Sequence, residues 1–186
     1  MDTSERPIGP DDVEAHYESL WGKAQDKRVF RTQTNAFSIL TFTPQQTDEG
    51  VFLFATVGAS QVMGDRDRSC EFFFGLTTSP KGLPDSLAEI ALDGNGTGQV
   101  PDSGDTTTLA FELWEGTSAR SYLFTDGGDE IVPHLKRDGA LVEFIQLVPL
   151  FADELEYKKK HGEPALWEHF EENEVPYWDA QRVSAF

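Results

Sequence analysis

The sequence predicts an α+β fold. It reads as a single domain in which a mixed, mostly antiparallel sheet carries an N-terminal helix and a C-terminal helix pair packed on it. Three observations predict this. The stretch from Leu141 to Asn173 runs as a β-rich apolar segment, a proline, a short helix pattern, a glycine and a second helix pattern. Two earlier runs, Val51 to Val57 and Glu71 to Leu76, are almost continuously apolar and short, as buried strands are. Val13, Tyr17, Leu20 and Trp21 recur at helical spacing near the start. No repeat and no linker divides the chain, so residues 1–24 are expected as a helical segment of the same domain as residues 25–186.

In chain order, Asp11 and Asp12 follow Pro10 and open the first helix, which should stop near Gly22. Arg28 to Phe42 predicts a strand hairpin pinched near Asn35, and Pro44 to Gly50 a polar turn. Val51–Val57 and Glu71–Leu76 are expected to pair with each other, with a charged loop at Gly64 to Arg68 between them. Asp85 or Ser86 is expected to cap a short helix through Leu87, Ile90 and Ala91. Asp93 to Thr108 is rich in Gly, Asp and Thr and predicts an exposed loop, long enough to be mobile or functional. Leu109 to Trp114 and Tyr122 to Phe124 read as strands, and Asp126 to Glu130 as a turn.

Val142, Phe144, Ile145, Leu147 and Val148 then predict a central strand, expected to end at Pro149 because proline cannot donate to a ladder. Asp153, Glu154 and Glu156 fall early in the following helix and Lys158, Lys159 and Lys160 late, which complements its dipole. Gly162 is the expected left-handed cap, and Pro164 suits the first turn of the last helix. Leu166, Trp167 and Phe170 share one face of that helix and should pack on the sheet.

Charge narrows the function. The net charge is −18, from 33 acidic against 15 basic residues. Direct binding to a nucleic-acid backbone is not expected, because that affinity comes from Lys and Arg displacing counterions. An acidic exterior suits solubility or a basic protein partner. The N-terminal MDTSERPIGPDDVEAH shows no apolar signal core, and no run approaches the roughly 20 apolar residues that span a bilayer. No membrane association and a cytoplasmic location are the expectations. The single cysteine, Cys70, sits beside a Phe-rich strand and reads as a small core residue.

Four constellations could carry chemistry. Asp93, Asn95 and Thr97 with Gly98 imitate the start of a calcium loop, but position twelve is Gly104 where a bidentate Glu is needed. Gly58-Ala59-Ser60 follows a strand as a nucleophile elbow would, but Val62 stands where the second glycine belongs. A hydrolase using Ser60, or a calcium-binding protein using the Asp93–Asp105 loop, is the enzyme- or ion-based alternative. His16, His134, His161 and His169 lack metal-ligand spacing, and His161 reads as a helix-capping residue. No cofactor, metal site or catalytic residue is expected. The fourth constellation is acidic: Glu168, Glu171, Glu172 and Glu174 on and after the last helix, and Asp126, Asp129 and Glu130 at a turn. These are candidate partner-binding residues, with Tyr177 and Trp178 as apolar anchors. A solvated face is the rival reading.

The segment PLFADELEYKKKHGEPALWEHFEENEV resembles the C-terminal signature of the suppressor of fused-like domain family. The matching positions are Phe144, Leu147, Val148, Pro149, Leu150, Glu154, Leu155, Tyr157, Lys158, His161, Gly162, Ala165 and Leu166, closed by Asp179 and Arg182. FATVGAS, Phe54 to Ser60, looks like a second strand-end motif of that family. Pro80 to Glu130 departs from the pattern. The resemblance implies a binding module and not an enzyme. Suppressor of fused is a negative regulator that holds an extended transcription-factor peptide by strand pairing. Stand-alone bacterial members accompany toxin systems as immunity proteins. The expectation is therefore a protein-binding module of the stand-alone bacterial type, an immunity protein that neutralises a toxin by direct contact, with a basic toxin domain as partner. A regulatory peptide-binding domain of suppressor of fused type and a housekeeping domain without a dedicated partner are the other readings.

Overall fold

The computed structural model describes residues 7–65, 67–93, 96–126 and 130–186. Helix α1 (Pro10–Trp21) begins where the Asp12 carboxylate accepts the Gly9 N–H at 2.9 Å. It buries Val13 and Tyr17 and stops at Gly22, which has a φ of 75°. Strands β1 (Asp26–Arg31) and β2 (Ala36–Phe42) form the expected hairpin, and the Thr32 hydroxyl accepts the Asn35 N–H at its turn. Pro44 to Gly50 is more ordered than a polar turn. It holds a one-turn helix, α2 (Pro44–Thr47), capped by Thr43 and Gln46.

Strands β3 (Phe52–Val57) and β4 (Arg68–Leu76) pair antiparallel, with Phe54 opposite Phe74. Helix α3 (Leu83–Asp93) starts ahead of both expected caps, Asp85 and Ser86, which lie inside its first turn. The Ser86 hydroxyl instead donates to the Leu83 carbonyl and meets the Tyr122 hydroxyl at 2.9 Å. The segment after α3 is less exposed than its composition predicts: Val100 and Pro101 are buried, and residues 106–108 form strand β5 (Thr106–Thr108). Leu109 to Trp114 is not a strand. The Leu109 and Leu113 N–H groups donate to the Arg120 and Ala119 carbonyls, so the segment folds back on itself and delivers Leu113 and Trp114 to the core from a loop.

Strand β6 (Ser121–Thr125) follows, then β7 (Leu135–Arg137), which the sequence does not announce, and β8 (Ala140–Leu150). β8 runs through Pro149 instead of ending there. Its parallel pairing with β4 ends at Phe73 opposite Gln146, while its antiparallel pairing with β6 continues to Leu150. Beyond Gln146 one edge of β8 is therefore free of a ladder, and a residue without an N–H is tolerated there. Helices α4 (Ala152–His161) and α5 (Glu163–Glu172) close the fold. Gly162 joins them with a φ of 91° and an extended ψ of 166°, not the left-handed helical cap expected, because one residue ends α4 and begins α5.

The sheet order is β1-β2-β3-β4-β8-β6-β5, with β7 also on β8, and only the β4–β8 pairing is parallel among the described strands. Side chains alternate between its two faces. On one face Phe54, Phe72, Phe74, Tyr122 and Phe124 pack with Leu83, Leu87 and Ile90 of α3. The other face has two separate covers. Val13 and Tyr17 of α1 lie with Leu40, Phe42, Leu53, Phe73 and Phe144. Leu155 of α4 and Leu166 and Phe170 of α5 lie with Leu123, Val148 and Leu150. No described helix is long and apolar enough to cross a membrane.

Candidate functional site

The two covers of the second face leave a groove between them. Along β8, Phe144 belongs to the α1 side and Val148 to the helix-pair side, and Gln146 sits between them on the same face. The groove holds about 390 Å³. Its floor is Leu53, Phe73 and Gly75, and its walls are Val51, Ile131, Tyr177 and Trp178. Gly75 keeps the floor low, since a Cβ there would lie 2.8 Å from Val51 Cγ2. The Tyr177 and Trp178 rings meet edge to face at 4.8 Å, and Trp167 braces Tyr177 at 5.5 Å. Trp178 is 44% exposed. Gln146 is half-buried, and its carboxamide has no partner among the described residues. Glu49 stands at the mouth, and no Lys or Arg among the described residues lines the groove.

The candidate partner-binding residues fall in three places. Tyr177 and Trp178 line the groove. Glu130 is exposed next to Ile131 of the groove wall, whereas Asp126 lines a separate cleft with His134 and Glu143. Asp129 lies outside the described residues. Glu168, Glu171 and Glu172 project from α5 into solvent, and Glu174 follows them with a φ of 49°. Glu49 and Gln146 were not among the candidates. They come to the groove from separate strands and loops, and a groove assembled that way leaves no local motif.

The C-terminal signature is structural. Phe151 N–H donates to the Glu154 carboxylate at 2.9 Å, closing the start of α4. Arg182 then binds the same carboxylate through both of its terminal nitrogens, at 2.5 and 2.9 Å, and donates to the Pro149 carbonyl at 2.8 Å. Its guanidinium also faces the rings of Phe151 and Phe170. Upstream, the Trp178 carbonyl accepts the Thr77 N–H and the Ala180 carbonyl accepts the Trp114 indole N–H. The tail is thus stitched to β4 and α4, which fixes Tyr177 and Trp178 at the groove.

The strand-end motif is structural too. Glu71 is fully buried and has no cationic partner among the described residues. Its carboxylate accepts the N–H groups of Gly58, Ala59 and Ser60 and the hydroxyls of Thr56 and Ser60, at 2.6–3.1 Å. Gly58 has a φ of 111°, and a Cβ there would lie 2.9 Å from Phe37 Cβ. Burial raises the Glu71 carboxyl above the ordinary carboxylate value, although these donors pull it down. The Ser60 hydroxyl is therefore committed as a donor to a carboxylate. The only sequence sign of Glu71 is that it is the lone acid in the run Cys70 to Leu76. Cys70 is buried, and that burial raises its thiol.

The calcium-like segment is tied down as turns. Thr97 Oγ1 accepts the Gln99 N–H, Asp105 Oδ2 accepts the Asp102 N–H, and the Gly104 carbonyl accepts the Lys158 ammonium of α4. Asn95 lies outside the described residues. Among those described, no group of three or more His, Cys, Asp or Glu side chains could hold a metal ion.

Known proteins with this architecture give it a family. A suppressor of fused homolog from Neisseria gonorrhoeae superposes with a TM-score of 0.70 at 21% identity, over 94% of this chain and 94% of its own. A chain of the Sufu–Fu complex gives 0.71 at 16% identity, over 97% of this chain and 93% of its own. Drosophila Suppressor of Fused gives 0.70 at 16% identity, and there the match spans all of this chain but 54% of the other. No curated protein matches significantly. These likenesses show the fold. The family model for Suppressor of fused protein (SUFU) matches residues 33–183, most of the sequence, and the chain therefore belongs to the SUFU family.

Proposed function

We propose that this protein is a non-enzymatic protein-binding module, and that it serves as an immunity protein holding a basic toxin domain by direct contact. The observation that carries the reading is the groove: a rigidly held aromatic pair beside an acidic mouth, on a chain of net charge −18. Charge of one sign steers an oppositely charged partner, and fixed aromatic anchors hold it once docked. Glu168, Glu171, Glu172, Glu174 and Glu130 supply steering and Tyr177 and Trp178 supply anchoring. The cytoplasm is where such a toxin would be met.

Membership of the SUFU family and the likeness to a chain of the Sufu–Fu complex support a second reading, a regulatory domain that binds a peptide of another protein. Co-expression separates the two. The protein is produced beside each basic toxin domain encoded near its gene, and survival and co-purification are scored. Rescue by a co-purifying complex is expected for an immunity protein. Failure with every such toxin sinks that role and leaves the regulatory reading.

A further inference from the structure

We propose that the groove seats a single apolar side chain, aromatic or branched aliphatic, carried on an extended segment whose flanking residues are Lys or Arg. This rests on the protein-binding reading and names the chemistry of the partner at that site.

Four features define the occupant. At about 390 Å³ the groove lies at the small end of the range that binding pockets occupy, roughly 300–1,000 Å³. It suits one large side chain better than a helix face. Its floor and walls are hydrocarbon and ring: Leu53, Phe73, Val51, Ile131 and the Tyr177–Trp178 pair. An apolar group entering there loses no hydrogen bond and removes the exposed Trp178 ring from water. Glu49, Gln146 and the Tyr177 hydroxyl are the polar groups of the lining, and the half-buried Gln146 carboxamide has no hydrogen-bond partner among the described residues. It offers a donor and an acceptor together, which match the N–H and C=O of an incoming main chain. Finally, the mouth is acidic. Glu49 lines it, Asp48 and Glu130 are exposed beside lining residues, and among the described residues no cation lines it to compete. A charged side chain inside would be stripped of water without a counterion, so the partner's cations belong on either side of the anchor.

The test uses the full chain and short labelled peptides in which a central Trp, Leu or Gly lies between pairs of Lys, with a Glu-flanked Trp peptide beside them. Anisotropy gives affinity, and amide chemical shifts of isotopically labelled protein give location. Saturable binding of the Trp and Leu peptides is expected, with shifts at Gly75, Gln146 and Trp178. Replacing the anchor by Gly, the Lys by Glu, or the protein's own Trp178→Ala should each weaken binding by about tenfold or more. Glu49→Lys should weaken only the Lys-flanked peptides. No saturable shift at millimolar peptide, shifts confined to α5, or equal binding of the Gly peptide would overturn the proposal. The toxin co-expression keeps its failure distinct from that of the parent reading. Rescue that survives Trp178→Ala removes the groove and leaves the immunity role. Peptide binding at the groove without rescue by any toxin removes the role and leaves the groove.

Discussion

Glu154 and Glu71 are both fully buried carboxylates, and the molecule neutralises them in opposite ways. Glu154 meets a guanidinium supplied from 28 residues away, and the same guanidinium reaches the Pro149 carbonyl. Glu71 meets no cation among the described residues. It is wrapped by amide and hydroxyl donors from Thr56 to Ser60, within 15 residues. The first arrangement joins distant segments: it ties the tail that follows Tyr177 and Trp178 to the start of α4, where the Ser184 hydroxyl and the Ala185 N–H also donate to Asp153 and Glu154. The second shapes one strand end, drawing the Gly58–Ser60 backbone around an anion so that β3 can turn sharply. A buried charge thus acts as a long-range clasp in one place and as a local template in the other.

Removing one partner of the clasp should have the largest effect. Arg182→Met leaves Glu154 buried and uncompensated, and the expected loss is about 3–5 kcal/mol in urea unfolding. Adding Glu154→Leu should recover only part of it: both charges then leave together, but the Phe151 and Ala185 N–H groups lose their acceptor. A loss below about 1 kcal/mol for the single change would show that the tail is held by its other contacts and would dissolve the contrast.

The template should be less costly to damage, because small backbone shifts can relax a local site. Glu71→Gln keeps the volume but brings two donors of its own among five existing ones, and about 2 kcal/mol of stability should be lost. Ser60→Ala removes one hydroxyl and leaves the three N–H donors in place, so about 1 kcal/mol is expected. That variant also checks the role of the residue. Ester hydrolysis by the wild type that disappeared in Ser60→Ala would make this serine a nucleophile and not a strut.

The two sites differ in how far the sequence reveals them. The clasp is legible, since Pro149, Glu154, Asp179 and Arg182 stand in an ordered signature and the strand, helix, glycine and helix around them have clear periods. The template is half legible: Gly58 and Ser60 mark it, but its acid lies eleven residues past Ser60 in a strand and contributes no pattern. The groove is hardly legible at all. Tyr177 and Trp178 invite notice as adjacent aromatics beside the last helix, but Glu49, Gly75, Ile131 and Gln146 meet only because two helical covers stop short of each other. The misreadings have the same origin. Leu109, Phe111 and Leu113 alternate as a strand does, yet a loop buries Leu113 and Trp114 and leaves Phe111 exposed. Pro149 reads as a strand end because the sequence does not show that β4 has already left its side.

The smallest expected effect tests the space between the two charge arrangements and the helix above them. Tyr17 of α1 is fully buried, and its hydroxyl has no hydrogen-bond partner among the described residues. Burial is the main cause that holds its phenol well above the ordinary value, and the nearby Glu71 charge adds to it. Tyr17→Phe removes a hydroxyl that gains nothing from the fold, so stability at neutral pH should rise by up to about 1 kcal/mol. The pH dependence has a definite sign. Above the ordinary phenol value of 10.0 the unfolded chain releases the Tyr17 proton while the folded chain keeps it. Wild-type stability therefore falls as pH rises through that point toward the raised folded value, and Tyr17→Phe should flatten the fall by one proton. Tyr122, buried and raised in the same direction, remains to titrate in both proteins. A destabilised Tyr17→Phe variant with an unchanged alkaline slope would mean that the hydroxyl is satisfied by ordered water, and α1 would then be anchored by polar contacts as well as by packing.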